Sequence, residues 1–149
     1  MRWPAVALAA LAVVAGCGGS ATPPEIAFLT TVGANGGRIT FTFESKPRDV
    51  SAHYLPRARL AECGSGAPVP LEGRAFLAVH FRPAATAEAN GDSLRITYVG
   101  PKRLRAAGPL LEAVKTCDFE ADVGWTLGVE RRLPFRVSRD GASVTVSFG

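Results

Sequence analysis

The longest alternation of apolar and polar residues in the chain is FEADVGWTLGVE, residues 119–130. One predicted face carries Phe119, Ala121, Val123, Trp125, Leu127 and Val129. The other carries Glu120, Asp122, Gly124, Thr126, Gly128 and Glu130. A period of two predicts a β-strand with one face on the core, and Trp125 is therefore predicted to lie in the core. Clean alternation of this kind is typical of an antiparallel sheet with one wet face.

Shorter alternating stretches extend the same pattern along the chain. They lie at residues 39–43, 50–54, 76–81, 94–98, 135–137 and 144–148. Turn sequences between them are Asn35-Gly36-Gly37, Asn90-Gly91-Asp92 and Arg139-Asp140-Gly141, which favour hairpins because these residues tolerate positive φ. Pro109 followed by Leu110, Leu111 and Val114 predicts one short helix over residues 109–116. We therefore expect an all-β fold, an antiparallel β-sandwich with one short helix.

The amino terminus is built like a bacterial export signal. Arg2 precedes an apolar stretch over residues 5–15, which ends in Val14-Ala15-Gly16-Cys17. This ending resembles a lipobox, so residues 1–16 are predicted to be a lipoprotein signal peptide and Cys17 the lipidated first residue, with palmitate-type chains. A plain secretory signal cut near Ser20-Ala21 is the alternative. The stretch is too short for a permanent transmembrane helix, which needs about 20 apolar residues.

The predicted organisation has three parts: a signal peptide at 1–16, a lipidated Cys17 with a short linker at 17–25, and one domain at 26–149. This organisation predicts a protein outside the cytoplasm, anchored to the cell membrane. The two remaining cysteines, Cys63 and Cys117, are expected to form a disulfide in that oxidising compartment. They lie in no C-x-x-C motif and offer too few ligands for a metal site.

Charge gives weak information about partners. The formal net charge is +4, and removal of residues 1–16 takes away only Arg2 and leaves +3. The short basic runs beside turns have two interpretations. They either keep the protein soluble or form a patch that binds anionic lipid or an anionic wall polymer. Nucleic acid is not expected as a partner, because an exported protein rarely meets it and no basic motif with interleaved aromatic residues is present.

Few residues have the spacing of a catalytic site. His53 and His80 lie within predicted strands, with no motif that supplies an orienting partner or a nucleophile. Gly64-Ser65-Gly66 is interpreted as a turn beside the disulfide, since neither a phosphate-binding loop nor a nucleophile elbow surrounds it. Asp118, Glu120 and Asp122 are the best acidic cluster, and paired carboxylates can hydrolyse glycans. No cofactor is expected.

The polar face of residues 119–130 is the better candidate for binding. Gly124 and Gly128 leave space for close approach by another backbone or a sugar ring, with bulges as the alternative. The candidate ligand-binding residues are Glu120, Asp122, Gly124, Thr126, Arg131 and Arg132.

Three stretches together resemble the AMIN-like domain, found in lipoproteins and secreted proteins of high-GC Gram-positive (actinobacterial) bacteria. They are residues 37–44, 64–79 and 118–137, and the resemblance runs from about Ile26 to the carboxyl terminus. It implies a β-sandwich with an envelope role and no established reaction, so it transfers no catalytic residue. The chain departs from the family pattern in having Gly37-Arg38 where Asp-Arg is common, and in lacking an acid in its last strand.

Three functions follow as hypotheses. The first is a non-catalytic, membrane-tethered binding or localisation module for peptidoglycan, an envelope polysaccharide or an envelope protein. The second is an envelope-glycan enzyme that uses Asp118, Glu120 or Asp122. The third is an assembly partner that lends a strand edge or an apolar patch to another envelope protein.

Overall fold

The computed structural model describes residues 18–19 and 21–149, so the predicted signal peptide and the acceptor residue Cys17 lie outside the described part. The described residues form twelve strands and one 3-10 turn at Arg57–Arg59. The strands are β1 Ala27–Asn35, β2 Arg38–Phe43, β3 Asp49–Leu55, β4 Ala75–Arg82, β5 Ala84–Ala85, β6 Ala87–Asn90, β7 Ser93–Ile96, β8 Arg103–Arg105, β9 Leu110–Phe119, β10 Asp122–Val129, β11 Phe135–Asp140 and β12 Ser143–Phe148.

Two five-stranded sheets form the predicted sandwich. The first sheet has the order β11-β12-β2-β1-β5, and the second has the order β3-β4-β10-β9-β8. Every neighbouring pair is antiparallel except β1 with β5. Strands β6 and β7 form a separate antiparallel hairpin. The prediction of an antiparallel β-sandwich is confirmed.

Alternating side chains of both sheets fill one core. Trp125 is fully buried, as predicted, and its ring centroid lies 5.9 Å from that of Phe41 in the opposite sheet. Phe81 packs on Phe41 at 4.9 Å between centroids. Tilted and edge-to-face contacts of this kind are the arrangements that aromatic rings prefer. The two sheets are therefore held face to face by apolar packing.

The predicted turns at residues 35–37, 90–92 and 139–141 join β1 to β2, β6 to β7 and β11 to β12. Gly36 has φ of 60° and Gly141 has φ of 56°, values that a residue with a Cβ adopts at a cost.

The predicted helix at residues 109–116 is wrong, since Leu110–Phe119 is strand β9. One face of β9 packs in the sandwich core through Leu110 and Ala113. The other face is covered by an apolar cluster that includes Val114 and Leu71, so β9 is buried on both faces. A short run of this kind is compatible with a buried helix or a buried strand, and pairing on two edges decides for the strand.

The strand predicted over residues 119–130 is confirmed over Asp122–Val129, which is β10, but not at its beginning. Glu120 and Ala121 have φ of 50° and 58° and form a tight turn between β9 and β10. The turn breaks the alternation, so Phe119, predicted on the apolar face, is exposed.

Residues 56–74, called here the covering segment, lie across the outer side of the second sheet. Leu60, Val69 and Leu71 of this segment form a second apolar cluster with Phe76 and Val114. The predicted disulfide between Cys63 and Cys117 is present and fastens the segment to β9. Gly124, Thr126 and Gly128 are buried, so the prediction that they face solvent is wrong.

A candidate ligand-binding cleft beside the disulfide

A cleft of about 590 Å³ opens where the covering segment meets the carboxyl end of β9. Its functional side chains are Glu62, Ser65, Lys102, Lys115, Asp118 and Phe119, and the disulfide forms part of its wall. The Cys63 amide donates to the Thr116 carbonyl at 3.0 Å, which adds a backbone link beside the covalent one. Both walls of the cleft are therefore fixed to the same strand.

The charged groups in the cleft form two ion pairs, one across the cleft and one within β9. Lys102 donates to Glu62 of the covering segment, and this hydrogen bond lowers the pKa of the Glu62 carboxyl below its ordinary value. Nζ of Lys115 lies 2.8 Å from Oδ2 of Asp118, which also accepts from Thr86. The exposed Lys102–Glu62 pair contributes little to stability, so Lys102 can turn toward an incoming anion at small cost. The Lys115 side chain is only 18% exposed and lies against Asp118.

Phe119 gives the cleft an apolar rim. Its side chain is 56% exposed, and a Cβ on Gly64 would lie 4.0 Å from its ring. A large exposed aromatic ring beside two lysines and two carboxylates combines an apolar platform with polar groups that fix orientation. This combination suits a ligand that has both ring faces and charged groups.

A second polar cluster lies on the same side of the second sheet. Nδ1 of His80 donates to Oδ1 of Asp122 at 2.8 Å, and Nη2 of Arg82 lies 2.5 Å from Oδ2 of the same carboxylate. Gly124 leaves room for the imidazole, because a Cβ there would lie 2.7 Å from Cε1 of His80. The cluster was missed by the sequence analysis, because only the pairing of β4 with β10 brings residues 80 and 122 together.

The residues proposed from the sequence do not form one site. Glu120 lies exposed at the β9–β10 turn, close in sequence to Asp122. Gly124 and Thr126 are buried, and the Thr126 hydroxyl is 3.0 Å from that of Thr116. Arg131 and Arg132 follow the far end of β10, about 23 Å from Asp122 by strand rise.

The acidic cluster is likewise divided. Asp118 pairs with Lys115 and Thr86, whereas Asp122 pairs with His80 and Arg82. Residues 118 and 122 thus belong to two separate hydrogen-bond networks. Among residues 18–19 and 21–149, no three His, Cys, Asp or Glu side chains are grouped as metal ligands.

A family model of the AMIN-like domain matches residues 34–144, which is most of the chain and includes the whole cleft. The chain belongs to the AMIN-like domain family. AMIN-like domains are in general extracytoplasmic modules of the cell envelope that bind peptidoglycan and are not catalytic. The resemblance seen at residues 37–44, 64–79 and 118–137 is thus confirmed at the level of the domain.

No curated protein and no solved structure is significantly similar to the chain. In the part of this AMIN-like protein that the structure describes, no helix is both long and apolar enough to pass through a bilayer.

Proposed function

We propose that the chain is a non-catalytic lipoprotein of a high-GC Gram-positive envelope, anchored by a lipid on Cys17, whose cleft beside the disulfide binds peptidoglycan. The observation that carries the proposal is the exposed Phe119 ring next to Lys102 and Lys115 within an AMIN-like domain.

The chemistry of peptidoglycan fits the two parts of this cleft. Its glycan strand presents the faces of sugar rings, for which the Phe119 ring is an apolar platform. Its stem peptides carry carboxylates, to which Lys102 and Lys115 can donate after leaving Glu62 and Asp118. A cleft of about 590 Å³ holds a disaccharide-sized or short peptide fragment, within the range of about 300–1,000 Å³ usual for ligand sites.

The residues proposed from the sequence enter this site in part. Glu120 and Asp122 lie at the turn that follows Phe119, so they belong to the rim of the proposed surface. Gly124 lies against the His80 imidazole, and the Thr126 hydroxyl is paired with that of Thr116, so neither is open to a ligand. Arg131 and Arg132 lie at the other end of β10 and would contact only a second, distant part of a long polymer.

The anchor would hold this cleft near the outer side of the membrane. Residues 18–25 connect Cys17 to the domain, and eight extended residues reach about 26 Å. A disulfide between Cys63 and Cys117 agrees with an oxidising location outside the cytoplasm.

Two measurements test the proposal. The full chain, expressed in a high-GC Gram-positive host and purified in detergent, is sedimented with insoluble peptidoglycan, with an unrelated lipoprotein of similar charge as the control. We expect retention above the control, and retention equal to the control would contradict the binding role. Mass spectrometry should find an acyl-bearing amino terminus at Cys17, and a terminus near Ala21 without fatty acid would overturn the anchor.

A further inference from the structure

The large apolar side chains that the described residues expose gather at one end of the sandwich. They are Ile26 (38% exposed), Leu94 (64%), Ile96 (52%), Val99 (85%) and Phe119. Single exposed apolar residues are normal, but a group of them marks an interaction surface. Phe119 lies on the rim of the cleft, which leaves four that the proposed function does not use.

The topology places these four residues together. Ile26 directly precedes β1, at the end where the chain enters the first sheet. Arg95 of β7 bridges Glu44, which follows β2 at that same end, with Nη1 and Oε1 2.6 Å apart. Glu88 of β6 lines a cleft of about 450 Å³ with Glu25 and Ile26. The β6–β7 hairpin is thus fixed beside the point where the linker enters.

Val99 belongs to the same end. It follows Tyr98, whose amide donates to the Thr86 carbonyl at 3.2 Å, and Thr86 connects β5 to β6.

The hairpin is amphipathic, and its apolar face has no partner within the described residues. Leu94 pairs with Ala89 and Ile96 pairs with Ala87, so one face is entirely apolar. The opposite face carries Glu88 and Arg95, which are used in the contacts to the sandwich. A two-stranded hairpin is only marginally stable alone, and this one is secured through its polar face. Its apolar face is therefore not required to attach it to the domain.

We propose that the end of the domain defined by Ile26, Leu94, Ile96 and Val99 inserts into the lipid surface next to the anchor; this inference rests on the proposed acylation of Cys17. The linker of residues 18–25 reaches about 26 Å and ends at Ile26 itself. The opposite end of β1 is about 30 Å farther along the domain by strand rise. The apolar end is thus the one that the linker holds against the bilayer.

The lipid anchor explains why four apolar side chains are enough to keep this end of the domain on the membrane. Apolar side chains bind the interface in proportion to the area that they bury there. A contact that is weak alone becomes populated when a linker turns it into an intramolecular event at high effective concentration. A second contact point would also fix the direction in which the domain and its cleft point.

Fluorescence in vesicles tests this inference. The full acylated protein is reconstituted into vesicles of phosphatidylglycerol and phosphatidylethanolamine, with and without brominated acyl chains that quench tryptophan. Leu94→Trp places a reporter on the apolar end, and Ala107→Trp places one at the opposite end, beside the β1–β2 turn. Both positions are exposed, and the native Trp125 is fully buried and gives the same background in both proteins.

We expect brominated lipid to remove at least half of the added emission of Leu94→Trp and less than a tenth of that of Ala107→Trp. Equal, weak quenching in a protein that floats with the vesicles would overturn the inference and leave the anchor intact. Cross-linking through the hairpin to a second copy, without quenching, would also overturn it. If the wild-type protein does not float with the vesicles, the proposed acylation of Cys17 is contradicted, and this inference is overturned with it.

Discussion

The carbonyl oxygen of Glu72 lies directly over Gly128, so close that a Cβ on Gly128 would be 1.8 Å from it. From the sequence, a glycine at this position indicates close approach by another backbone or by a sugar ring. The structure shows close approach by a backbone, and it is the chain's own backbone at Glu72. A bulge accompanies it, since the register between β10 and β9 shifts at Gly128 and Val129.

Gly128→Ala should therefore destabilise the domain by about 3 kcal/mol, because the covering segment must move away from the sheet to make room for the methyl group. Chemical denaturation measures the free energy of unfolding. Gly33→Ala is the matched control, since Gly33 has open space around it and should change stability by less than about 0.5 kcal/mol. Equal stability of the two variants would show that the Glu72 carbonyl moves away without a measurable cost in free energy, and would contradict this prediction.

The buried carboxylate of Glu112 predicts a dependence of stability on pH. Desolvation raises the pKa of Glu112, but the hydrogen bonds from the Glu72 amide and from Arg103 outweigh it and lower the pKa below 4.5. A carboxylate with a lowered folded pKa contributes stability above its unfolded pKa and loses it as the pH falls through the folded pKa. Glu112→Gln should cost about 2 kcal/mol at pH 7 and progressively less below pH 4.5.

Urea unfolding of both proteins between neutral and acidic pH measures this difference. Glu72→Gln serves as the control, because the Glu72 side chain is exposed and only its backbone amide contacts Glu112. A gap between wild type and Glu112→Gln that stays constant with pH would contradict the assignment.

Removal of the disulfide should loosen the covering segment. The double variant Cys63→Ser, Cys117→Ser releases a loop with a sequence separation of 54 residues, for which the chain-entropy model gives about 4 kcal/mol. We expect a lower free energy of unfolding and faster proteolysis within residues 56–74. A loss below about 1 kcal/mol would mean that the apolar cluster of Leu60, Val69 and Leu71 holds the segment unaided.

The cleft variants separate binding from folding. Phe119→Ala with Lys102→Ala should weaken sedimentation with peptidoglycan at least tenfold, as expected for about 1.4 kcal/mol or more of lost contact. Both side chains are exposed, so the melting temperature should stay close to that of the wild type. Arg136→Ala, an exposed cation on the first sheet, is the control for net charge and should bind normally. Equal binding by all three proteins would exclude the cleft as the site.

Local patterning predicted the sandwich because period-two alternation and glycine turns are properties of short segments. The disulfide was predictable from cysteine number and compartment alone. Residues 109–116 resemble a helix because the two faces of β9 are buried by the first sheet and by the covering segment, and neither leaves a local signal in this stretch. Phe119 was assigned to the core because the turn at Glu120 and Ala121 lacks the usual glycine.

The candidate site was harder to predict from the sequence than the fold, for the same physical reason. The cleft joins Glu62 to Lys102 and Phe119, and the neighbouring cluster joins His80 to Asp122. These contacts depend on strand register and on the path of a long loop, and a single sequence encodes neither in its periodicity.

The covering segment contributes to the cleft, whereas the core that stabilises the domain is built by the two sheets. The sandwich core lies between the two sheets, whereas one side of the cleft is built by a loop that is pinned to β9 through a single covalent link. Substitutions between residues 63 and 69 therefore change the shape and charge of the cleft wall without disturbing the packing around Trp125.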